Sequence, residues 1–165
     1  MPYLLDANVF IQAKNLHYGF DFCPAFWDWL EVANEQRIVF SIERVRDELT
    51  AGNDELSTWA EQLGEDFFLS PDPQVVAAFG RVSSWVTTQG YDPAAITTFL
   101  QVADYYLVAH ALAHNFVVVT HEVPAPTIRK VKIPNVCIGL GIRHMTPFEM
   151  LRREGARFVL ERGIL

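Results

Sequence analysis

Four acidic side chains in this 165-residue sequence stand where a folded chain could gather them at one point: Asp6, Glu48, Asp104 and Glu122. Two of them follow apolar runs that favour buried strands, Asp6 after residues 3–5 and Glu122 shortly after residues 116–119. Oxygen ligands with few nearby thiols or imidazoles are typical of a site for a hard cation, Mg²⁺ or Mn²⁺, and not for zinc. The pattern therefore predicts a carboxylate metal site. The alternatives are a helix-capping role for Asp6 and an ordinary loop acid at Glu122.

Asp104 lies on the apolar face of a predicted helix. Leu107 and Val108 follow it at i+3 and i+4, and Ala111 and Leu112 follow at i+7 and i+8. An inward-facing carboxylate is costly unless it is paired, hydrogen-bonded or bound to a cation, so the spacing favours a ligand. The alternative is a capping role at the helix N-terminus or a favourable interaction with the helix dipole, since an Asp in the first turn suits either.

Glu48 borders the apolar stripe of its own predicted helix. It lies about 80–90° from the centre of the stripe formed by Ile42, Val45 and Leu49 when each residue turns the helix by ~100°. Glu43 and Asp47 are turned further away and are predicted to be solvated. Glu48 is therefore the candidate ligand of this helix.

The elements that must position these acids alternate between strands and helices. Asn8 is predicted to cap a helix that runs to Leu16, and Ser41 to cap one that runs to Ala51. Thr146 and Glu149 form a capping box with Pro147 at the first helical position. The remaining predicted helices are 24–34, 54–63, 73–89, 93–102 and 104–115, and the predicted strands are 3–5, 38–40, 67–69, 116–119 and 136–138.

This order predicts an α/β fold with a central, mainly parallel sheet covered by helices on both faces. Functional groups in such sheets gather beyond the carboxyl ends of the strands, which is where Asp6 and Glu122 fall. Residues 1–165 have the length of one domain.

Charge is divided unevenly along the chain. Residues 1–128 carry 17 acidic and 5 basic side chains, a net charge of −12, whereas residues 129–165 carry 3 acidic and 8 basic ones, a net charge of +5. The total of −7 alone would argue against a nucleic-acid partner. A basic C-terminal surface beside acidic cation ligands is instead what a metal-dependent nuclease requires. The alternative is that arginines 152, 153 and 157 form only the solvated face of a terminal helix.

Other features limit where the protein acts. No apolar run approaches the ~18 residues of a transmembrane helix, and the N-terminus lacks the pattern of a signal peptide. Two cysteines, Cys23 and Cys137, are too few for a disulfide framework and are expected to be buried thiols. We therefore expect a cytoplasmic protein with no membrane partner. His110 and His114 lack the glutamate of a zinc-binding motif and are expected to be solvated, and 139–141 is expected to be a turn.

Taken in order along the chain, several short segments resemble the PIN-domain nucleases. More narrowly, they resemble a group of short prokaryotic PIN-like proteins found among the candidate toxins of type II toxin–antitoxin systems. The segments are Tyr3 to Ile11, Val45 to Leu49, Asp104 to Ala111, and Val117 to Glu122.

The resemblance implies a three-layer α/β/α PIN-like fold and a specific set of roles. Asp6, Glu48 and Asp104 would coordinate the metal, and Asn8 and Thr120 would support it as polar neighbours. Where the family usually has Thr-x-Asp, this chain has Thr120-His121-Glu122. A glutamate can still bind the cation directly or through water, but with a longer reach.

The activity implied is metal-assisted hydrolysis of RNA by an endoribonuclease, leaving a 5′-phosphate and a 3′-hydroxyl. One cation would activate water and a second would stabilise the leaving oxygen. The substrate would be single-stranded RNA, the partner an antitoxin protein, and the assembly a homodimer by analogy with PIN proteins. Arg129, Lys130, Lys132 and Arg143 would hold the RNA strand, and exposed aromatic side chains could stack on unpaired bases.

Two other functions are compatible with the sequence. The Glu122 departure and the acidic charge motivate a catalytically inactive PIN-like module that binds RNA or protein. A nuclease acting on structured DNA is the third hypothesis. Binding of Mn²⁺ distinguishes the enzyme from the module, and parallel cleavage assays on RNA and DNA distinguish the two nucleases.

Overall fold

The fold is known from a computed structural model, which describes residues 1–162. Five short strands form one sheet in the order β3-β2-β1-β4-β5, and every neighbouring pair is parallel. The strands are β1 (Tyr3–Leu5), β2 (Val39–Ile42), β3 (Phe68–Leu69), β4 (Val117–Val119) and β5 (His144–Met145). The predicted parallel sheet is confirmed.

Helices cover both faces of this sheet and give the three-layer α/β/α arrangement of a PIN-like fold. They are α1 (Ala7–Gln12), α2 (Pro24–Glu35), α3 (Glu43–Thr50), α4 (Glu55–Glu61), α5 (Pro73–Thr87), α6 (Pro93–Gln101), α7 (Ala103–His114), α8 (Ile133–Leu140) and α9 (Pro147–Arg153). A π-helical segment, Ala13–His17, continues α1. In the part of the chain that the structure describes, no helix is both long and apolar enough to span a membrane.

The order of the strands reverses beside β1. From β1 the chain builds outward through β2 to β3, and it then returns to place β4 on the other side of β1. Leu5 pairs with Val119, so β1 and β4 end side by side. In open parallel sheets such a reversal leaves a crevice at the carboxyl ends of the two strands, where ligands bind. The residues that follow Leu5 and Val119 therefore share the place most suited to a functional site.

Large apolar side chains fix the layers around the sheet. On α1, Phe10 is fully buried and contacts Trp59 of α4 and Phe68 of β3. Trp27 of α2 contacts the same Trp59 ring edge-on. Phe40 of β2 contacts Phe116, which directly precedes β4 at the end of the strand away from the crevice. These contacts between aromatic side chains join α1, α2 and α4 to the β3 side of the sheet.

The structure corrects the predictions for the part of the chain that follows β4. Residues 136–138 were predicted to be a strand but lie within α8. This helix has Pro134 in its first turn and is followed by Gly141 in the left-handed conformation. The edge strand β5 was not predicted, because two half-buried residues leave almost no apolar pattern. The capping box of Thr146 and Glu149 at the start of α9 is confirmed.

Two predicted helix caps are wrong. The residue before α1 is Asp6, and Asn8 lies inside that helix with its side chain turned toward the end of β4. Ser41 belongs to β2, and its hydroxyl donates a hydrogen bond of 2.7 Å to the carbonyl oxygen of Leu5. Both polar side chains are used to join neighbouring segments of the sheet, a long-range demand that local sequence does not reveal.

The prediction that both histidines of α7 are solvated is wrong for His110. Its side chain is buried, and its Nε2 has no hydrogen-bond partner among the described residues. Burial lowers the pKa of His110 to about 4, with a smaller contribution from His114. His114 is half-buried, and its Nε2 lies 2.7 Å from Asp72 Oδ2 at the start of α5. The neutral imidazole of His110 therefore behaves as part of the core.

This burial predicts an acid-sensitive contribution to stability. The pKa of His110 is about 4 in the folded chain against an ordinary value of 6.5, so the unfolded chain takes up the proton first. The contribution is present above pH 6.5 and is lost as pH falls toward 4. Relative to His110→Leu, the native protein should lose about 3 kcal/mol of unfolding free energy over that window. Urea unfolding at several pH values measures the difference. His144→Leu, a control on the half-buried β5, should retain the native pH profile, and a native profile in His110→Leu would contradict the prediction.

Candidate active site

A buried hydrogen-bond network joins the ends of β1 and β4. The Thr120 hydroxyl donates to Asp6 Oδ2 over 2.8 Å and accepts hydrogen bonds from the Asn8 side chain at 3.3 Å and from the Glu122 amide at 3.1 Å. A hydroxyl has one proton to donate and two lone pairs that accept, so every position on Thr120 is used. The side-chain oxygen Oδ1 of Asn8 also accepts a hydrogen bond from the backbone amide of His121. Thr120 therefore fixes where the Asp6 carboxyl group stands.

Asp6 is a carboxyl group held in an unfavourable environment. Asp6 is 6% exposed, and its backbone amide donates a hydrogen bond of 2.9 Å to the Val119 carbonyl oxygen. Burial and, to a smaller extent, repulsion from Asp104 raise the pKa of Asp6 to about 7, and the Thr120 hydrogen bond partly opposes this rise. Near neutral pH the group is poised between its protonated and ionised forms. A cation at this position would favour the ionised form.

Asp104 lies in the first turn of α7 and completes the acidic centre. Burial, with smaller contributions from repulsion by Glu122 and then Glu48, raises the pKa of Asp104 to about 6. These interactions come from α3 and from the segment after β4. The inward orientation predicted from the apolar stripe of α7 is thus accompanied by electrostatic coupling to the other predicted acids.

Glu48 stands at the rim of the centre. The residue is exposed, yet partial burial of its carboxyl group raises its pKa. Glu43 and Asp47 on the same helix are exposed and lie around a different depression of the surface. Of the three acids on α3, Glu48 is the one that lines the same cavity as Asp104.

Glu122 is already engaged by the segment that follows it. Its Oε1 accepts a hydrogen bond from Lys130 Nζ at 3.2 Å, and its Oε2 accepts one from the Ile133 amide at the start of α8 at 2.9 Å. Both oxygens retain a further lone pair. Glu122 therefore fixes the position of the basic segment as well as adding negative charge beside Asp104.

The described residues fit a cation in chemistry but not in ready-made geometry. Four carboxyl groups with raised pKa values or mutual repulsion are oxygen donors whose charge a hard cation would neutralise. Within residues 1–162, however, no three His, Cys, Asp or Glu side chains are arranged to hold a metal ion as they stand. Binding would require at least one carboxylate to turn toward the others.

A cavity of about 410 Å³ opens beside this centre. Glu48 and Asp104 lie in it together with Arg129 and Lys130. Helix α6 contributes Ala94, Ala95, Thr98 and Phe99 to the lining, and Val102, directly after the helix, and Val131 complete it. The part that α6 plays in this cavity was not predicted from the sequence. The volume lies within the range of pockets that hold small molecules.

The predicted basic residues are not all brought to one place. Arg129 and Lys130 line the cavity, and Lys132 immediately precedes α8. Arg143 lies at the amino end of β5, where its Nη1 is 3.1 Å from Met1 Sδ. Arg143 thus lies at the amino ends of the strands, whereas Asp6 lies at their carboxyl ends. Arginines 152, 153 and 157 are exposed on and after α9.

An aromatic cluster on the other side of Asn8 was not predicted. The rings of His17 and His121 are stacked with centroids 5.4 Å apart, and Phe148 meets His17 edge-on at 5.0 Å. Burial lowers the pKa of His121, and His17 lowers it further. The cluster lies next to the crevice, because the backbone amide of His121 donates a hydrogen bond to the Asn8 side chain.

The chain matches a known protein family over most of its length. The sequence profile of the family described as "Domain of unknown function (DUF4411)" matches residues 3–158. The chain belongs to this family. A comparison of the DUF4411 chain with curated proteins found no match.

The DUF4411 chain also has a structural neighbour. It is similar to the crystal structure of VapBC2 from Rickettsia felis bound to a DNA fragment from their promoter, with a TM-score of 0.55 and 14% sequence identity. The alignment covers 88% of this chain and 98% of the neighbouring chain. At that identity the similarity concerns the fold, and it agrees with the PIN-like arrangement described above.

The raised pKa of Asp6 predicts how stability changes with pH when no metal is present. The value is about 7 in the folded chain against an ordinary 3.8, so folding favours the protonated carboxyl. This contribution is fully present below 3.8 and is lost as pH rises through 7. Between pH 5 and 8 the native protein in EDTA should lose about 2–3 kcal/mol more unfolding free energy than Asp6→Asn. Asp28→Asn, at an exposed site on α2, should behave as the native protein does. Parallel profiles for native protein and Asp6→Asn would show that Asp6 has no raised pKa.

Proposed function

We propose that this chain is a metal-dependent endoribonuclease that hydrolyses RNA phosphodiester bonds. The observation that carries the proposal is the pair of carboxyl groups with raised pKa values, Asp6 and Asp104, in the crevice of a PIN-like sheet. Groups perturbed by burial and by like charge cluster at functional sites. The adjoining cavity with its basic rim supplies room and charge for a phosphate-containing substrate.

The proposed ligands of Mg²⁺ or Mn²⁺ are Asp6, Glu48, Asp104 and Glu122. When bound, the cation supplies an acidified water and neutralises negative charge at the scissile phosphate. Thr120 holds Asp6 through its 2.8 Å hydrogen bond, and Asn8 holds Thr120. These two side chains are positioning residues, because they act through Asp6.

The basic residues have a separate role in the proposal. Arg129 and Lys130 bind backbone phosphates of the RNA, and Lys132 extends this surface toward α8. Glu122 orients Lys130 through the 3.2 Å contact and fixes the following segment through the Ile133 amide. Arg143 would reach only RNA that continues around the molecule, because it lies at the amino ends of the strands.

The biological setting is proposed from resemblance. We assign residues 1–165 to one PIN-like domain that acts in the cytoplasm as the toxin of a toxin–antitoxin pair. An antitoxin protein would block the crevice, and single-stranded RNA would be the substrate. A homodimer is included by analogy with other PIN proteins.

One observation favours a second candidate function, a PIN-like module that binds RNA or protein without cleaving it. Both Glu122 oxygens already accept hydrogen bonds, and within residues 1–162 no three acids form a ready metal site. Calorimetric titration with Mn²⁺ separates the two functions. The nuclease should bind Mn²⁺ with loss of binding in Asp6→Asn, whereas the module should give no heat with either protein.

The nuclease proposal predicts the effect of removing one charge from the centre. Purified protein with Mg²⁺ or Mn²⁺ should cleave a mixed single-stranded RNA pool, and EDTA should stop cleavage. Asp104→Asn should lower the rate by about 100-fold or more, because a group that stabilises charge in the reaction is lost. Gel analysis of RNA fragments, with a DNA pool in parallel, measures the rate and the preference.

The matched control for that experiment is Asp47→Asn. Asp47 is an exposed acid of α3 that lies away from the cavity, so its variant should cut at the native rate. Equal rates for Asp104→Asn and the native protein would refute the proposed centre. If the protein cleaves the DNA pool and leaves the RNA pool intact, its substrate is DNA and not RNA.

A further inference from the structure

The cavity beside the acidic centre has two walls of opposite chemistry. Ala94 and Thr98 are exposed one turn apart on α6, and together with Val102, which directly follows the helix, they present a small, mostly apolar surface to the cavity. Arg129 and Lys130 also line the cavity and carry its positive charge. Glu48 and Asp104 line it as well. We refer to this space between α6 and residues 129–131 as the α6 cleft.

Both walls of the α6 cleft are held in place by the fold. The Asp92 amide, just before α6, donates a 3.0 Å hydrogen bond to the Ile128 carbonyl, which ties the two walls at one end. Val131 is 3% exposed and anchors the basic segment in the core. Lys130 is oriented by Glu122 at 3.2 Å. The cleft is therefore formed before a ligand enters, which lowers the cost of ordering on binding.

A single nucleotide of an unpaired strand matches this division. Its phosphate is anionic, and its base presents a flat apolar face, so one wall can receive each part. In a duplex the base faces are stacked inside the helix and cannot reach the α6 surface. The arrangement therefore selects for a base that is unstacked next to the phosphate held over the acids.

We propose that the α6 cleft binds one unpaired nucleotide beside the scissile phosphate, with its base against Ala94, Thr98 and Val102. This rests on the proposed ribonuclease function and names how its substrate is chosen. Thr98 is the residue of this surface that can read the base, because it carries the hydroxyl on an otherwise aliphatic wall. The neighbouring Thr97 is different, since its hydroxyl donates to the Pro93 carbonyl at 3.0 Å.

Filling the cleft tests the binding mode. Thr98→Trp should weaken binding of a labelled mixed-sequence single-stranded RNA and raise its Kd by about tenfold or more, equivalent to about 1.4 kcal/mol. Thr97→Trp, an exposed threonine one position along the same helix, should change it by less than about twofold. Fluorescence anisotropy in an Asp6→Asn background measures binding without cleavage. Ala94→Trp gives a second variant on the same wall, and thermal melting confirms that each variant folds.

Removing the hydroxyl tests base selection. Thr98→Val keeps the shape of the side chain and should change the relative affinities for the four homopolymeric RNAs by about threefold or more, the size of one lost hydrogen bond. An unchanged ranking would overturn the role of Thr98. Equal effects of Thr97→Trp and Thr98→Trp, or binding of duplex as tight as that of single strand, would overturn the nucleotide cleft.

These outcomes are separable from failure of the proposed function. RNA binding that depends on Thr98 without any cleavage by the native protein would support the cleft and refute the nuclease. Cleavage by native protein that Thr98→Trp and Ala94→Trp leave unchanged would support the nuclease and refute the cleft. Absence of both binding and cleavage would refute both.

Discussion

The arrangement of this site depends on the buried hydrogen bond between Thr120 and Asp6. Parallel pairing of β1 with β4 brings the two residues together, although they are separated by most of the chain. The single hydroxyl proton goes to the carboxyl group, while Asn8 and the Glu122 amide occupy the lone pairs. The same group of contacts thus fixes the carboxyl at the end of β1 and the start of the segment that carries the basic residues. Asp6 stays costly to ionise in this position, which is the property expected of a group that a cation completes.

Features set by local pattern were predictable from the sequence. Buried runs of apolar residues predicted β1 and β4, and the parallel order of strands then placed Asp6 and Glu122 at one edge of the sheet. The inward position of Asp104 followed from the apolar residues three, four, seven and eight positions later on α7. In each case the pattern that specifies the element also specifies the direction of the acidic side chain.

Features set by distant contacts were not predictable in the same way. Asn8 and Ser41 have the residue types of helix caps, but their side chains bond across the sheet to Thr120 and Leu5. His110 has a polar ring on a helix, and only the packing of α5 against α7 makes it a core residue. The hydrogen bonds of Glu122 to Lys130 and Ile133 depend on how the chain turns back after β4. Local sequence contains the groups in all these cases and lacks the partners that choose among their roles.

The central claim is that the acids at the carboxyl ends of β1 and β4 and on α3 and α7 form one cation site. The most direct measurement is anomalous diffraction from crystals of the native protein soaked in Mn²⁺. The account predicts a manganese peak about 2.0–2.3 Å from oxygen atoms of Asp6 and Asp104, with Glu48 or Glu122 turned toward it. A peak that lies only elsewhere on the molecule, or carboxylates that remain unliganded at saturating Mn²⁺, would contradict it.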